Sequence, residues 1–339
     1  MYKVFKIQNN IKKIILISMC VILSASVFGC GNTSNTSNTT NDSSVSNTFN
    51  NSITSDGSNT SNNSTTSDGS NDLSTSNTSN TSNASNLNVI LNPGTFKVIC
   101  LNAGKADAII LRTHNSTVLI DTGEDAEGPV IVSYLKQQNI DTIDYLIITH
   151  FDADHVGGAD TVLKKLTVKN VIQSDCPKDS NDYSQYVEML DKKNITPVTL
   201  RDTMTFTLDS VEYTIYPPKE TTYVEKDSNN SSLVTSVVHG NNSFLFAADA
   251  ENARIQELIT QGNLAHTFLK VPYHGFYQTS LSELFSLVNA KYAVITSSDK
   301  LTEDEGTVKL LEAVGTKVFL TRKGEVTVTS DGENLVVTQ

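Results

Sequence analysis

Four side chains able to bind a metal ion crowd into six positions of this chain: His150, Asp152, Asp154 and His155. The run before them, Tyr145-Leu-Ile-Ile-Thr149, is strongly apolar, and Gly157-Gly158 follows, where the backbone is expected to turn tightly into a helix. Mixed imidazole and carboxylate donors suit Zn²⁺, Mn²⁺ or iron better than Ca²⁺, which takes oxygen ligands. A solvated Asp/His loop is the plain alternative. Against it stands the scarcity of histidine: there are six in 339 residues, two of them here. A third, His274, again follows an apolar run, in Lys270-Val-Pro-Tyr273-His274-Gly275. Ligands placed straight after buried strands lie where open α/β sheets build their sites, at the carboxyl ends of the strands. Such a set supports metal-assisted hydrolysis, in which the ion lowers the pKa of a water toward neutrality and neutralises charge developing on oxygen.

Positioning these residues takes many short strands. Apolar runs at 96–101, 108–112, 117–120, 145–149, 213–216, 233–238, 243–247, 268–271, 292–296, 317–320 and 326–329 read as strands. Helical patterns lie at 129–138, 158–166, 183–190, 250–260, 281–288 and 305–313, with Pro129 suited to a first turn. A hairpin-like start followed by strand–helix alternation predicts layered α/β, with two sheets flanked by helices. Cys100 sits in an apolar run and reads as a small buried hydrophobe; Cys176 reads as a loop thiol, and sequence cannot pair the two. His114 and His266 are expected at the surface or a strand edge, and Tyr213, Tyr216 and Tyr292 are expected to pack.

The segment His150-x-Asp152-x-Asp154-His155 resembles the His-x-[His/Asp]-x-Asp-His motif of the metallo-β-lactamase superfamily. The surrounding text is similar to one branch. Asn102-Ala-Gly-Lys-Ala-Asp107-Ala, Ile120-Asp121-Thr-Gly123, Ser232-Leu-Val, Ala248-Asp249-Ala and His274-Gly275 occur in the order seen in the external domain of the ComEC/Rec2 competence proteins and their secreted relatives. The resemblance implies an αββα four-layer sandwich over residues 91–339. It places His150 and Asp152 on one metal, Asp154, His155 and His274 on a second, and Asp249 between the two. It makes Asp121 a carboxylate that steadies the metal loop from behind, and it puts Asp107 near the site without a defined role.

The sequence departs from that pattern in four places. Asn229-Asn230-Ser231-Ser232 holds no histidine where the wider superfamily has one; His239 lies past that strand and reads as part of its turn. Tyr273-His274-Gly275-Phe276 stands where relatives often have His-His-Gly-Ser, and a late Gly-His-Pro has no counterpart in residues 300–306. The early Gly-Gln-Gly-Asp becomes Gly104-Lys105-Ala106-Asp107. Counting the implied ligands leaves one tight Zn²⁺ or Mn²⁺ site of Asp154, His155, Asp249 and His274, and a weaker second site of His150 and Asp152 sharing Asp249. The lost late histidine removes an oxyanion stabiliser, which the Tyr273 hydroxyl is expected to replace in part; Asp154 or Asp249 is expected to orient the water or take its proton.

The rest of the chain sets the address. Lys3, Lys6, Lys12 and Lys13 precede an apolar stretch at 14–23 that is short for a membrane span. It ends in Val27-Phe28-Gly29-Cys30, which resembles a bacterial lipobox, so residues 1–30 read as a lipoprotein signal with Cys30 lipidated. Residues 31–90 are Ser, Thr and Asn with almost nothing apolar, and are expected to be a disordered linker with a reach of roughly 45 Å. The four leader lysines cancel the four linker aspartates, so the whole formal charge of −12 falls on the domain. That charge disfavours tight binding of nucleic acid, which needs clustered Lys and Arg. The expected protein is an extracellular metal-dependent hydrolase on a membrane lipid anchor, phosphodiesterase or nuclease-like, with a small or wall-associated phosphodiester as its substrate. The alternatives are a catalytically degenerate binding module of the same fold and a lactone or β-lactam hydrolase; Asp152 in place of a second histidine argues against the last.

Overall fold

The computed structural model describes residues 91–223 and 227–339. The leader, Cys30 and the Ser/Thr/Asn tract lie outside the described residues.

The elements, in order, are β1 (Phe96–Cys100), β2 (Ile109–Arg112), β3 (Thr117–Ile120), α1 (Glu127–Gln137), β4 (Thr142–Ile148), α2 (Ala153–Val156), α3 (Ala159–Lys165) and β5 (Thr167–Gln173). Next come α4 (Asn181–Lys193), β6 (Val198–Thr199), β7 (Met204–Leu208), β8 (Val211–Tyr216), α5 (Asp227–Asn230), β9 (Val234–His239) and β10 (Asn242–Phe246). The chain closes with α6 (Asn252–Gln261), β11 (Phe268–Lys270), α7 (Leu281–Val288), β12 (Tyr292–Ile295), α8 (Glu305–Ala313), β13 (Lys317–Leu320), β14 (Val326–Ser330) and β15 (Leu335–Thr338).

Two mixed sheets form. One runs β15-β14-β1-β2-β3-β4-β5-β6 and the other β13-β12-β11-β10-β9-β8-β7. Each strand near the middle is apolar on both faces, because successive side chains point opposite ways and both faces are covered. In the first sheet Ile99, Ile110, Leu119 and Leu146 pack outward with residues of α1, α3 and α4. Their neighbours Val98, Ile109, Val118 and Ile147 point inward, where they meet Val237, Phe244 and Phe268 of the second sheet. The outer face of the second sheet, with Val234, Leu245 and Leu269, packs against α6, α7 and α8. The result is the expected order of helix, sheet, sheet, helix.

In β3–β4 and in β10–β11–β12 the pairing is parallel. Parallel strands share an orientation, so their carboxyl ends fall on one rim of each sheet. The loops after these strands carry Asp121, His150, Asp249, His274 and Thr296.

Some elements escaped the sequence patterns. β5 exposes Thr167, Lys169 and Asn170, so its apolar run is interrupted. β7 and β15 have no fully buried residue, and β6 is two exposed residues. His266 is buried rather than superficial: its Nε2 is 2.7 Å from Ser236 Oγ and its Nδ1 2.8 Å from Leu264 O. His239 closes β9 with Nδ1 2.8 Å from Ser330 Oγ, and His114 is exposed as expected. Cys100 is a free thiol in the core between the sheets, and Cys176 is also free.

The glycine pair after the metal motif has a different job from the one expected. Gly157 (φ −54°) and Gly158 (φ −76°) are helical, so neither supplies an unusual turn. A Cβ on Gly158 would lie 2.4 Å from Thr122 O, and one on Gly157 2.6 Å from Ala153 O. Close backbone approach, not a left-handed φ, requires glycine here.

Candidate metal centre

The site is assembled by backbone contacts between loops that follow different strands. Asp107 N–H donates to Asp154 O (3.1 Å) and Gly123 N–H to Asp107 O (2.8 Å). Thr122 donates twice to His155 O, from its N–H (2.8 Å) and its hydroxyl (2.9 Å). On the other side Tyr273 N–H donates to Ala248 O (3.1 Å). Four of these loop residues hold a left-handed backbone without being glycine: Asp121 (φ 57°), Ala248 (φ 48°), Tyr273 (φ 48°) and His274 (φ 51°). Such conformations carry strain and persist only where surrounding contacts over-determine them.

Among the described residues, one ligand atom each from Asp154, His155, Asp249 and His274 lies within 4.8 Å of the others. His155 and His274 are fully buried and Asp249 nearly so, while Asp154 faces the opening. His274 Nε2 is 3.0 Å from Asp249 Oδ2 and 3.4 Å from Asp154 Oδ2; His155 Nε2 is 3.4 Å from Asp249 Oδ2. Bonds of about 2.0–2.1 Å to a tetrahedral Zn²⁺ set its donor atoms roughly 3.3–3.4 Å apart. The Nε2 atoms of His155 and His274 and Asp249 Oδ1 make no well-formed hydrogen bond, although all are buried. Orphaned buried donors at these separations are what a cation's coordination shell leaves behind. The donor set therefore fits a divalent ion.

Supporting contacts fix each ring. Asp121 Oδ2 accepts from His155 Nδ1 (2.8 Å) and from the Thr149 hydroxyl (2.7 Å), and its Oδ1 accepts from Thr149 N–H (2.8 Å). His155 thus presents Nε2 to the site. Asp107 reaches His274 through Thr296, whose hydroxyl donates to Asp107 Oδ1 (2.7 Å) and lies 2.9 Å from His274 Nδ1. This gives Asp107 the role the sequence left undefined. His150 packs beside the set, with an orphaned Nε2 and its ring 4.0 Å from that of His155.

Asp152 stands apart. It precedes α2 in an extended conformation, but its side chain makes no capping hydrogen bond. Its Oδ1 accepts instead from Lys178 Nζ (2.6 Å) and from the Ser228 hydroxyl. Neither His150 nor Asp152 belongs to a group of three clustered donor atoms among the described residues. Asn229 to Ser232, where no histidine stands, serve as scaffold. Asn230 Oδ1 accepts from Arg254 N–H, Ser232 O from Arg254 Nε, and Ser232 Oγ from Asp249 N–H (3.3 Å).

Three lysines complete the electrostatics, and sequence reasoning assigned none of them a role. Lys105 Nζ is 2.7 Å from Asp154 Oδ2. Lys178 pairs with Asp152. Lys270 is fully buried, with Nζ 2.5 Å from Asp107 Oδ2, 2.9 Å from Ala248 O and 3.6 Å from Asp249 Oδ1. The available signal was a lysine inside the apolar run from Phe268 to Val271, which demands a buried anion. Burial opposes charge on Lys270, but Asp107 and Asp249 outweigh it and raise its pKa. Burial likewise opposes charge on Asp249, and His274 and His155 outweigh it, holding the carboxyl well below its usual range. His155 is raised because Asp249 and Asp121 overcome its burial. His150, buried beside His155, is pushed down to about 3 and stays neutral, as a ligand must.

The Metallo-beta-lactamase superfamily model matches residues 101–297, more than half of the chain, and the chain belongs to that superfamily. It is similar to ComE operon protein 3 of Bacillus subtilis, at 25% identity over 223 residues, covering 59% of this chain and 28% of the relative. It is also similar to recombination protein 2 of Haemophilus influenzae, at 26% over 212 residues, covering 61% and 25%. The chain thus spans about a quarter of the length of these relatives. Among solved structures, the metallo-β-lactamase fold protein YhfI from Bacillus subtilis aligns with TM-score 0.48 and 11% identity, over 69% of this chain and all of that one.

Proposed function

We propose that this chain is an extracellular metal-dependent hydrolase whose substrate is a small or wall-associated phosphodiester. The observation that carries this reading is the spacing of the four donors Asp154, His155, Asp249 and His274 at tetrahedral separations. These residues would hold Zn²⁺ or Mn²⁺, which when bound supplies Lewis acidity and a water of near-neutral pKa. Around the donors, Asp107, Asp121, Asp152, Asp154 and Asp249 face Lys105, Lys178 and Lys270. With the imidazoles neutral, as metal ligation requires, these groups would sum to a charge of −2, the complement of one divalent ion. The balance supports one tight site, with His150 and Asp152 forming a weaker half. Asp249 Oδ1, free of hydrogen bonds, is the atom we assign to orient the attacking water. Burial raises the pKa of Tyr273, so its hydroxyl keeps its proton and donates to the developing oxyanion. The charge of −12 weighs against long nucleic acid as the substrate.

The test is metal analysis of the purified full-length chain, with hydrolysis of bis(4-nitrophenyl) phosphate, a lactone and a β-lactam under added Zn²⁺ or Mn²⁺. We expect about one equivalent of metal, lost in Asp154→Ala, and turnover of the phosphodiester ahead of the other probes. Metal content unchanged in Asp154→Ala would overturn the ligand set. Bound metal without turnover would favour a second reading, a binding module of the same fold; the pairing of Asp152 with Lys178 and Ser228 is the observation on its side.

The address rests on the leader alone. Among the described residues no helix is long and apolar enough to cross a membrane. We assign the membrane attachment to a lipid on Cys30. Cys30→Ser should abolish labelling by a fatty-acid analogue and release the chain into the soluble fraction; retention on the membrane would refute the anchor.

A further inference from the structure

The mouth of the site carries a feature that metal binding does not use. Lys105 lies in the loop between β1 and β2, and its Nζ reaches Asp154 Oδ2 from the open side. The same ammonium lies 5.9 Å from the centre of the Phe276 ring. That ring is 5.3 Å from Tyr273, tilted by 58°. Lys105, Tyr273 and Phe276 are all half-buried, so each presents a face to solvent beside the donors.

The backbone that carries the two rings is held stiffly. Tyr273 N–H is tied to Ala248 O, and Phe276 N–H donates to Tyr273 O (2.9 Å). Gly275 between them is left-handed (φ 77°), and a Cβ there would meet Ile295 Cγ2 at 2.8 Å. Rigid rings lose little entropy on contact. Residues 105, 273 and 276 are also three positions at which the sequence departs from the pattern it resembles. They come from two distant segments and meet at one edge of the metal centre. Simple decay of a site would not gather an ammonium and two rings on its open side.

We propose that Lys105, Tyr273 and Phe276 form the substrate-recognition edge of the site, specific for a phosphodiester in which at least one ester group is flat and unsaturated, such as an aryl or nucleoside ester. This rests on the phosphodiesterase reading above. Lys105 leaves Asp154 to a metal ion and turns its ammonium to a non-bridging phosphoryl oxygen, the point-charge contact at which lysine is effective. The rings of Phe276 and Tyr273 receive the flat group by stacking, which is tolerant of its identity. A polymeric polyanion is disfavoured by the acidic domain, so the preferred ligand is small.

Binding rather than turnover tests this. The full-length chain, saturated with Mn²⁺, is titrated calorimetrically with diphenylphosphinate and with dimethylphosphinate, two non-hydrolysable anions that differ only in their flat groups. We expect about tenfold tighter binding of the diphenyl compound. Phe276→Ala should abolish that preference and Phe276→Tyr should keep it, while Lys105→Gln should weaken both anions by a similar factor of about ten. Equal binding of the two anions by the unaltered chain, or a preference that survives Phe276→Ala, would overturn the proposal. So would full affinity for both in Lys105→Gln. The aryl preference without hydrolysis of any diester would sink the hydrolase reading and leave this recognition edge standing; hydrolysis with no aryl preference would do the reverse.

Discussion

At the scale of single residues, the candidate metal centre depends on a lysine that touches no solvent. Lys270 is enclosed between Asp107 and Asp249, and it also satisfies Ala248 O. Lys270→Met keeps most of the volume and removes the ammonium. It leaves Asp107 buried with the Thr296 hydroxyl as its remaining donor side chain. Removing one member of a buried ion pair costs about 3–5 kcal/mol, because the other charge stays unpaired in low dielectric. We expect urea unfolding of this variant to show a loss of that size, and metal affinity to fall as well, since Asp249 loses its backing. Sequence reading gathered the donors from the six-residue motif, the histidine after an apolar run, and the resemblance. It did not assign Lys105, Lys178 or Lys270 a role, because pairing between residues in different loops follows from tertiary placement. The split between an assembled set and a detached Asp152 has the same origin: the motif spacing is blind to Lys178 and Ser228.

At the scale of elements, the strands around the site were legible because both their faces are buried. β3, β10 and β11 read as short apolar runs. Edge strands such as β7 and β15 bury too little on either face to leave a pattern. The joint between α2 and α3 was legible as glycine but not for the right reason. Gly158 is where the metal loop crosses the loop after β3 and the first turn of α1 at backbone distance, against Thr122 O and Gly128 N. Thr122 is also the residue that grips His155 O. Gly158→Ala should therefore cost about 1–3 kcal/mol by overpacking and shift His155 with it. Thermal unfolding together with metal affinity checks this. A variant that lost stability but bound metal normally would show that the crossing is not transmitted to the ligand.

At the scale of the whole molecule, the four-layer order was legible from the alternation of patterns, and the facing of the two sheets follows from strands apolar on both sides. Their relative placement was not legible, since nothing local in sequence sets which loop meets which. Metal binding should be felt across the entire domain. An ion at one hundred times its dissociation constant adds about 2.7 kcal/mol to stability if it binds the folded state alone. For a domain of this size that corresponds to a rise in Tm of roughly 5–10 °C. Calorimetry with and without a chelator measures it, and an unchanged Tm would mean that the cluster holds no ion.

The candidate ligands also divide by origin. Asp154 and His155 follow β4 of the first sheet, while Asp249 and His274 follow β10 and β11 of the second. An ion bound by all four would be a rivet through the seam between the two layers, added to the packing, the Lys270–Asp107 pair and the few hydrogen bonds that already cross it. Removing it should loosen both rims together. Amide exchange would then quicken in concert at Thr122 and Ala250, two positions that share no hydrogen bond.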